Sequence, residues 1–219
     1  MRDKEQEVTL ELGLTKAVRA IWPGLHEARK FKDEQGRENG EPKYSATFLI
    51  PADHPDLKAH KQEVAKLARA KFGAASDLKT LKFPFVSGDD EAMKAIEKGK
   101  DRSYCAGAVL LKTASQYPVA VFDARRRDAQ GQPILVSEPE AIKALIYSGC
   151  QVAAQVKYRT YRVGSNQPGV TAYLQKVCFV ADGERIAGSV SGDVFRSVQG
   201  AVTTADPTGG AELDDEIPF

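Results

Sequence analysis

The residues from 149 to 180 constrain the fold more than any other part of the sequence. Two strand-like segments, GCQVAAQVKYRTYRV and VTAYLQKVCFV, are separated by the turn sequence GSNQPG. Along the first segment one face is apolar and aromatic, and it comprises Val152, Ala154, Val156 and Tyr158. The opposite face is polar, cationic and aromatic, and it comprises Gln155, Lys157, Arg159 and Tyr161. This alternation predicts a β-hairpin whose first strand buries the apolar face, whereas the mixed faces of the second strand leave its orientation open.

Other short strands are predicted along the chain, and few helices. The strand-like segments are residues 10–21, 43–51, 104–112 and 117–123, and the polar residues 23–42 predict a long loop after the first of them. The clearest helix begins after Asp53 or His54, has Pro55 in its first turn and ends at Gly73. A shorter helix is predicted at residues 89–98.

A further capped turn is predicted at Ser137, because Glu140 follows at the capping-box spacing.

The chain has 219 residues, of which 42% are hydrophobic, enough for one domain with a core. Several short strands without regular strand–helix alternation indicate a mainly β fold, a small barrel or an open sheet, with one or two inserted helices. An oligonucleotide-binding (OB) barrel with insertions fits this count.

The net charge of +1 conceals an uneven distribution of charge. Residues 201–219 carry five acids and no base, so the rest of the chain has an excess of six positive charges. Within the body, residues 141–181 contain no acid but five bases. A basic body of this kind indicates a surface that faces a polyanion.

The hairpin carries the candidates for nucleic-acid binding. Cations neutralise phosphates, and an aromatic ring offers any base a face on which to stack. The primary candidates are Lys157, Arg159, Tyr161, Arg162, Tyr173 and Lys176. Additional candidates lie at strand ends or turns, namely Lys43, Trp22, Arg19, Lys112, Arg125, Arg126 and Arg127. The sequence leaves open whether the three consecutive arginines grip phosphates or form a solvated turn, and whether Trp22 stacks a base or packs internally.

Two parts of the chain resemble known families. GEPKYSATFLIP and IYSGCQVAAQVKYRTYRVGSNQPGVTAYLQKVCFVADGERIAG resemble phage single-stranded-DNA-binding proteins. The final DDEIPF is similar to the acidic tip of bacterial single-strand-binding proteins, with Glu216 where those proteins usually have Asp. The resemblance implies an OB fold, sequence-tolerant binding of single strands, and a tail that recruits replication, recombination and repair enzymes. The bacterial tetramer is not implied, because the body is longer and lacks the Gly/Gln-rich linker, which leaves a homo-oligomer open.

The end of the chain is predicted to be a separate functional segment. Residues 200–211 are rich in small residues, Pro and Gly, and predict a flexible linker. The tip offers carboxylates for a basic rim and apolar groups for a pocket on a partner, and it comprises Asp214, Asp215, Glu216, Ile217, Pro218 and Phe219. The predicted organisation is therefore an OB domain that binds single-stranded DNA at residues 1–199, followed by a disordered acidic, partner-binding tail at 200–219.

Other function classes receive little support from the sequence. There is no Walker loop, nucleophile elbow, His-x-x-x-His or Cys-x-x-Cys motif, so we expect neither an enzyme nor a metal or cofactor site. The cysteines Cys105, Cys150 and Cys178 are expected to be buried free thiols. Without a membrane-length apolar run or a secretory signal, a cytoplasmic protein is expected. If the chain is phage-encoded, as the resemblance implies, that is the cytoplasm of the bacterial host. The alternatives are a non-catalytic adaptor or decoy that displays the tail and, with less support, a metal-dependent nuclease.

Overall fold

The computed structural model describes residues 6–32, 36–73, 78–162 and 167–186. All of the described residues belong to one compact unit, Met1–Gly188. The predicted linker and acidic tail, including Asp214, Asp215, Glu216, Ile217, Pro218 and Phe219, lie outside the described residues. Among the helices described, none combines the length and hydropathy needed to cross a membrane.

Strands hold more than twice as many of the described residues as α-helices do. The nine strands are β1 (Glu7–Leu12), β2 (Val18–Lys32), β3 (Glu38–Pro51), β4 (Phe85–Ser87), β5 (Ala108–Ser115), β6 (Ala120–Arg127), β7 (Pro133–Val136), β8 (Gln151–Tyr161) and β9 (Gly169–Ala181). The three helices are α1 (Pro55–Phe72), α2 (Gly88–Glu97) and α3 (Pro139–Leu145). Short 3-10 turns occupy Leu78–Thr80 and Ser103–Cys105.

Five of the strands close into a barrel. Their order is β2-β3-β5-β9-β8, and β8 pairs again with β2. All of these pairings are antiparallel except that between β5 and β9, which is parallel. β1 extends the sheet beside β8, and the β6–β7 hairpin extends it beside β9. This five-stranded closed barrel with inserted helices confirms the predicted mainly β, OB-type fold.

The inward faces of β8 and β9 form much of the barrel core. Val152, Ala154, Val156 and Tyr158 are all buried, which confirms the predicted inward face of β8. On β9 the inward residues are Val170, Ala172, Leu174, Val177 and Phe179. Their spacing changes from two to three residues after Leu174, because the pairing with β8 shifts register there. That irregularity explains why the sequence pattern left the orientation of β9 open.

Helix α1 packs against the barrel through a buried polar contact. His54 caps the helix by accepting a hydrogen bond from the backbone N–H of Asp56, and Gly73 follows its last residue, as predicted. Inside, His60 Nδ1 lies 2.7 Å from the Tyr158 hydroxyl and His60 Nε2 lies 3.0 Å from the Glu11 carbonyl oxygen. The carbonyl can only accept, so Nε2 carries the proton and Nδ1 accepts from Tyr158. Burial lowers the pKa of His60, which keeps the imidazole neutral in the folded protein.

The N-terminal strands differ from the prediction. The predicted strand at residues 10–21 is divided between β1 and β2, and Gly13, with φ +80°, lies in the turn that separates them. The predicted loop at 23–42 is instead a long two-stranded hairpin formed by β2 and β3. Polar cross-strand contacts stabilise it, including the Lys30–Glu38 ion pair at 3.6 Å. A hairpin held in this way shows no alternation of apolar residues, so the pattern did not reveal it.

The start of α3 also corrects a prediction. The capping-box spacing pointed to Ser137 as the first cap, but Glu138 is the N-cap and makes no side-chain capping bond. The helix begins at Pro139 because proline is favoured at the first helical position, where its missing N–H has no helical partner.

Candidate nucleic-acid interface

One row of directly opposed residues crosses the outside of the barrel. Gly24 pairs with Ser45, Ser45 with Ala114, Ala114 with Tyr173, and Tyr173 with Lys157. We call these five residues the outer row. Three small residues stand side by side, and the ring of Tyr173, 37% exposed, follows them. At Ser45, which is exposed, and at Ala114, which is half-buried, the row leaves the sheet open beside the Tyr173 ring and Lys157, whereas Gly24 at its other end is buried.

A groove of about 1030 Å³ is lined by both arms of the β2–β3 hairpin and reaches the outer row at Ser45 and Ala114. Ser45 and Ala114 form part of its wall, together with Arg29, Lys43 and Phe31. The Phe31 ring is 72% exposed. The groove also has acidic walls, contributed by Glu27, Glu38 and Glu41. Two of these acids face cations, because Glu27 lies 3.6 Å from Arg29 and Glu38 lies 3.6 Å from Lys30.

Most of the predicted binding residues lie on the outer side of the same barrel. Their backbone positions alternate with core residues along β3, β5, β8 and β9. These outward residues are Lys43, Lys112, Lys157, Arg159, Tyr161, Tyr173 and Lys176. Arg162 follows β8 directly and is exposed. The geometry thus brings together residues from four strands, while their role in binding remains a prediction.

The cations on this face differ in how they are paired. Lys157 Nζ lies 3.1 Å from Glu7 of β1, so an acid distant in sequence neutralises part of the acid-free hairpin. Lys112 Nζ lies 3.2 Å from Glu91 of α2. Among the described residues, Lys43 has no carboxylate within 4.0 Å. Because exposed ion pairs contribute only about 0–1 kcal/mol, a phosphate can replace Glu7 as the partner of Lys157.

Glu91 is an acid near this face that contacts two cations, Lys112 and Arg102. Partial burial acts to raise its pKa, but the adjacent Lys112 and Arg102 outweigh that effect, and the pKa is lowered. Arg102 also contacts the Glu91 carboxylate directly. Glu91 therefore remains ionised and fixes the two cations on one side of the barrel.

Trp22 and Arg19 make contacts of a different kind. Trp22 has a positive φ of 49° in β2, its ring lies 4.3 Å from the Arg102 guanidinium, and its Nε1 donates to the Tyr104 hydroxyl at 3.2 Å. Arg19 Nη2 donates to the carbonyl oxygen of Glu184 at 3.1 Å. These contacts favour internal packing for Trp22, which is one of the two alternatives that the sequence left open.

The three consecutive arginines lie on the β6–β7 hairpin, and two of them have internal partners. Arg125 lies 4.2 Å above the Phe179 ring and contacts Asp123 and Asp182. Burial acts to raise the pKa of Asp123, but its bonds to Arg125 outweigh burial and lower the pKa. Arg127 Nη1 donates to the Gly131 carbonyl oxygen at 2.6 Å. Arg126 is exposed, as are Arg125 and Arg127. All three follow Asp123, which pairs with Phe179 of β9 and not with the part of β9 that carries Tyr173.

Comparison with known families identifies the chain. A profile of the family described as "Enterobacter phage Enc34, ssDNA-binding protein" matches residues 13–204. The chain belongs to this family. This confirms the resemblance to phage single-stranded-DNA-binding proteins.

Solved structures agree with the fold of this Enc34-family chain. The single-stranded DNA-binding protein from bacteriophage Enc34 matches with a TM-score of 0.57 and 21% identity, over 85% of this chain and 88% of that protein. The same phage protein in complex with ssDNA matches with a TM-score of 0.56 and 22% identity, over 83% of this chain and 89% of that protein. Among curated protein sequences, none matches this chain.

Phe31 is a candidate in this Enc34-family chain that the sequence reasoning missed. It was assigned to the predicted loop, whereas the structure places it on the arm of the β2–β3 hairpin opposite Asn39. An aromatic residue flanked by cations, as in Arg29-Lys30-Phe31-Lys32, was the available signal. Exposed aromatic groups beside cations are the residue types that stack unpaired bases.

The cysteines of the Enc34-family barrel are free thiols in low-polarity surroundings. Cys105 and Cys150 are buried, and Cys178 is half-buried. Burial raises the pKa of Cys105 and that of Cys150 to about 11, so both thiols stay protonated near neutral pH. In the part of the chain that is described, no three His, Cys, Asp or Glu side chains are grouped to hold a metal ion.

Proposed function

We propose that this chain binds single-stranded DNA with little sequence preference and coats it during phage DNA replication, recombination or repair. The observation that carries the proposal is the outer row, in which small residues, the Tyr173 ring and Lys157 adjoin across the five strands of an OB barrel. The outer face of OB strands and the adjoining loops bind oligonucleotides in many proteins. Membership in a family of phage ssDNA-binding proteins supports the same function. A phage protein with this role would act in the cytoplasm of the bacterial host.

The proposed mechanism is non-catalytic. Lys43, Lys112 and Lys157 track the phosphates, and the small residues of the outer row let bases approach the sheet. Tyr173 stacks one base, a contact that does not depend on which base is present. Arg159, Tyr161, Arg162 and Lys176 extend the same face. Duplex DNA is expected to bind weakly, because its bases are already stacked on each other.

Fluorescence anisotropy tests this proposal directly. Labelled oligo-dT and a matched duplex are titrated with the protein at two salt concentrations and without divalent metal. We expect tight, salt-sensitive binding to the single strand and weak binding to the duplex, with a log–log salt slope of about −0.7 per phosphate neutralised. An absence of binding to either DNA would favour the adaptor or decoy alternative. Loss of intact oligonucleotide only after adding divalent metal would favour a nuclease.

We further propose that the terminal DDEIPF recruits a replication, recombination or repair enzyme to the coated strand. Its support is the sequence, in which acidic residues precede Ile217, Pro218 and Phe219. A partner with an apolar pocket and a basic rim would recognise this combination.

Deleting residues 212–219 tests the tail. The truncated protein is expected to keep its ssDNA affinity within about twofold while losing its binding to a host enzyme that reads bacterial single-strand-binding tips, because the anchor residues are gone. Surface plasmon resonance with that enzyme measures the loss. The matched control keeps the acids and replaces only Phe219 with alanine, which is expected to weaken the contact strongly. Equal affinity of the parent and the truncated protein for the enzyme would contradict the recruiting role.

A further inference from the structure

The exposed side of α1 carries a stripe of cations that the proposed DNA-binding face does not include. Lys58, Lys61 and Arg69 are all exposed and follow one another at spacings of three and eight residues. At 3.6 residues per turn, these positions share one side of the helix. We call these three residues the α1 stripe. At a rise of about 1.5 Å per residue, it spans about 17 Å along the helix.

The α1 stripe lacks the acid partners that usually accompany a solvated helix surface. Among the described residues, none of its three cations has a carboxylate within 4.0 Å. The acids of the helix are engaged elsewhere. Asp56 Oδ2 accepts a hydrogen bond from the Gly13 backbone N–H at 2.8 Å, and Glu63 pairs with Lys66. The stripe therefore presents uncompensated positive charge.

A surface depression runs along the same side of α1. It has a volume of about 920 Å³, and all three cations of the stripe line it. Leu57 and Ala65 give the depression an apolar floor. Asp53 lies at its N-terminal end, where its carboxylate is 3.8 Å from Lys16. A shallow channel with cationic walls and an apolar floor suits an extended, flexible polyanion better than a compact anion.

The α1 stripe is continuous with the barrel face through Arg162. Arg162 follows Tyr161 at the end of β8, and its guanidinium lies 5.6 Å from the Phe72 ring. Phe72 is one turn beyond Arg69 and lies on the same side of the helix as the stripe. Positive charge thus leads from the outward residues of β8, past the end of α1, and along the helix.

We propose that the α1 stripe is a second phosphate-binding surface, which receives the same DNA strand after it leaves the barrel face. The inference rests on the proposed ssDNA-binding function. In this arrangement the bound DNA strand has two parts. The first is held by stacking and cations on the barrel, and the second is held by phosphate contacts alone on α1. Short oligonucleotides fill only the first part, and longer strands reach both.

A length series separates the two surfaces. The test variant combines Lys58→Gln, Lys61→Gln and Arg69→Gln, which are compatible with a helix and lie on its exposed side. Anisotropy is measured across a salt series with oligo-dT of about 8 and of about 30 nucleotides, within and above the roughly 4–16 nucleotides that one OB fold covers. On the long strand the salt slope is expected to decrease in magnitude by about 2, because each lost phosphate contact contributes about 0.7. On the short strand both affinity and slope are expected to match the parent.

A control variant removes the same charge elsewhere, by combining Lys94→Gln, Lys100→Gln and Lys143→Gln. It is expected to reproduce the parent on both strands, and thermal melting checks that both variants are folded. An unchanged slope for the stripe variant on the long strand would overturn the inference. Equal losses on short and long strands would also overturn it, because the stripe would then belong to the primary site. Failure of the parent protein to bind the short strand would instead overturn the proposed function.

Discussion

Replacing Tyr173 with alanine is expected to weaken binding of oligo-dT by about 5- to 150-fold, because a base–aromatic stack contributes about 1–3 kcal/mol. The ring lies in the outer row between Ala114 of β5 and Lys157 of β8. Tyr173 is only 37% exposed, so neighbouring groups already restrict its side chain. Little conformational freedom is therefore lost when a base stacks on the ring. Anisotropy at fixed salt measures the loss of affinity.

The matched control is Tyr173→Phe, which keeps the ring and removes only the hydroxyl group. It is expected to bind within about twofold of the parent, because stacking depends on the ring face. The alanine variant should keep the parent's salt slope, since no cation has been removed. A reduced slope without loss of affinity, or an affinity equal to the parent's, would remove Tyr173 from the binding face.

The two strands of the C-terminal hairpin differ in how far the sequence predicted them. On β8 the inward residues from Val152 to Tyr158 are apolar or aromatic, and the outward ones from Gln155 to Arg159 are polar, so the period of two identified both faces. On β9 the register shift inserts Gln175 between the inward Leu174 and the outward Lys176, and the alternation is interrupted. The polar arms of β2 and β3 were missed altogether, because cross-strand polar contacts rather than an apolar face stabilise them.

The candidate site was predicted in part, for a similar reason. The acid-free stretch drew attention to the cations of the hairpin, and the structure places them on the outward side of β8 and β9. Glu7 of β1 faces Lys157 of β8, and Glu91 of α2 faces Lys112 of β5, and only the fold brings these acids near the cations. The small residues of the outer row carry no chemical signal of their own. Ser45 and Ala114 become informative only when the register places them beside Tyr173.

The last described segment, residues 182–186, is attached to the turn before β8. The Tyr147 hydroxyl donates to Asp182 Oδ1 at 2.9 Å and accepts from the Gly183 N–H at 3.0 Å. The Ile186 N–H donates to the Ser148 carbonyl oxygen at 2.9 Å, and Arg185 lies 4.0 Å above the Tyr147 ring. The close backbone approach that allows these contacts requires a residue without a side chain at position 149.

Replacing Gly149 with alanine is expected to lower the free energy of unfolding by about 2–4 kcal/mol, measured by urea denaturation. Two costs add at this position. Gly149 has a φ of +110°, which L-residues rarely adopt, and a Cβ there would lie 1.9 Å from the Glu184 carbonyl oxygen. Gly131→Ala is the control, because Gly131 has a φ of +77° but nothing within 4 Å of its Cβ position. The free energy of unfolding of the control should therefore fall only by the cost of the positive φ, about 1 kcal/mol. An equal decrease in the free energy of unfolding for the two variants would mean that residues 182–186 can move away from the new side chain at no cost. Their contacts with the turn would then contribute little to the stability of the barrel.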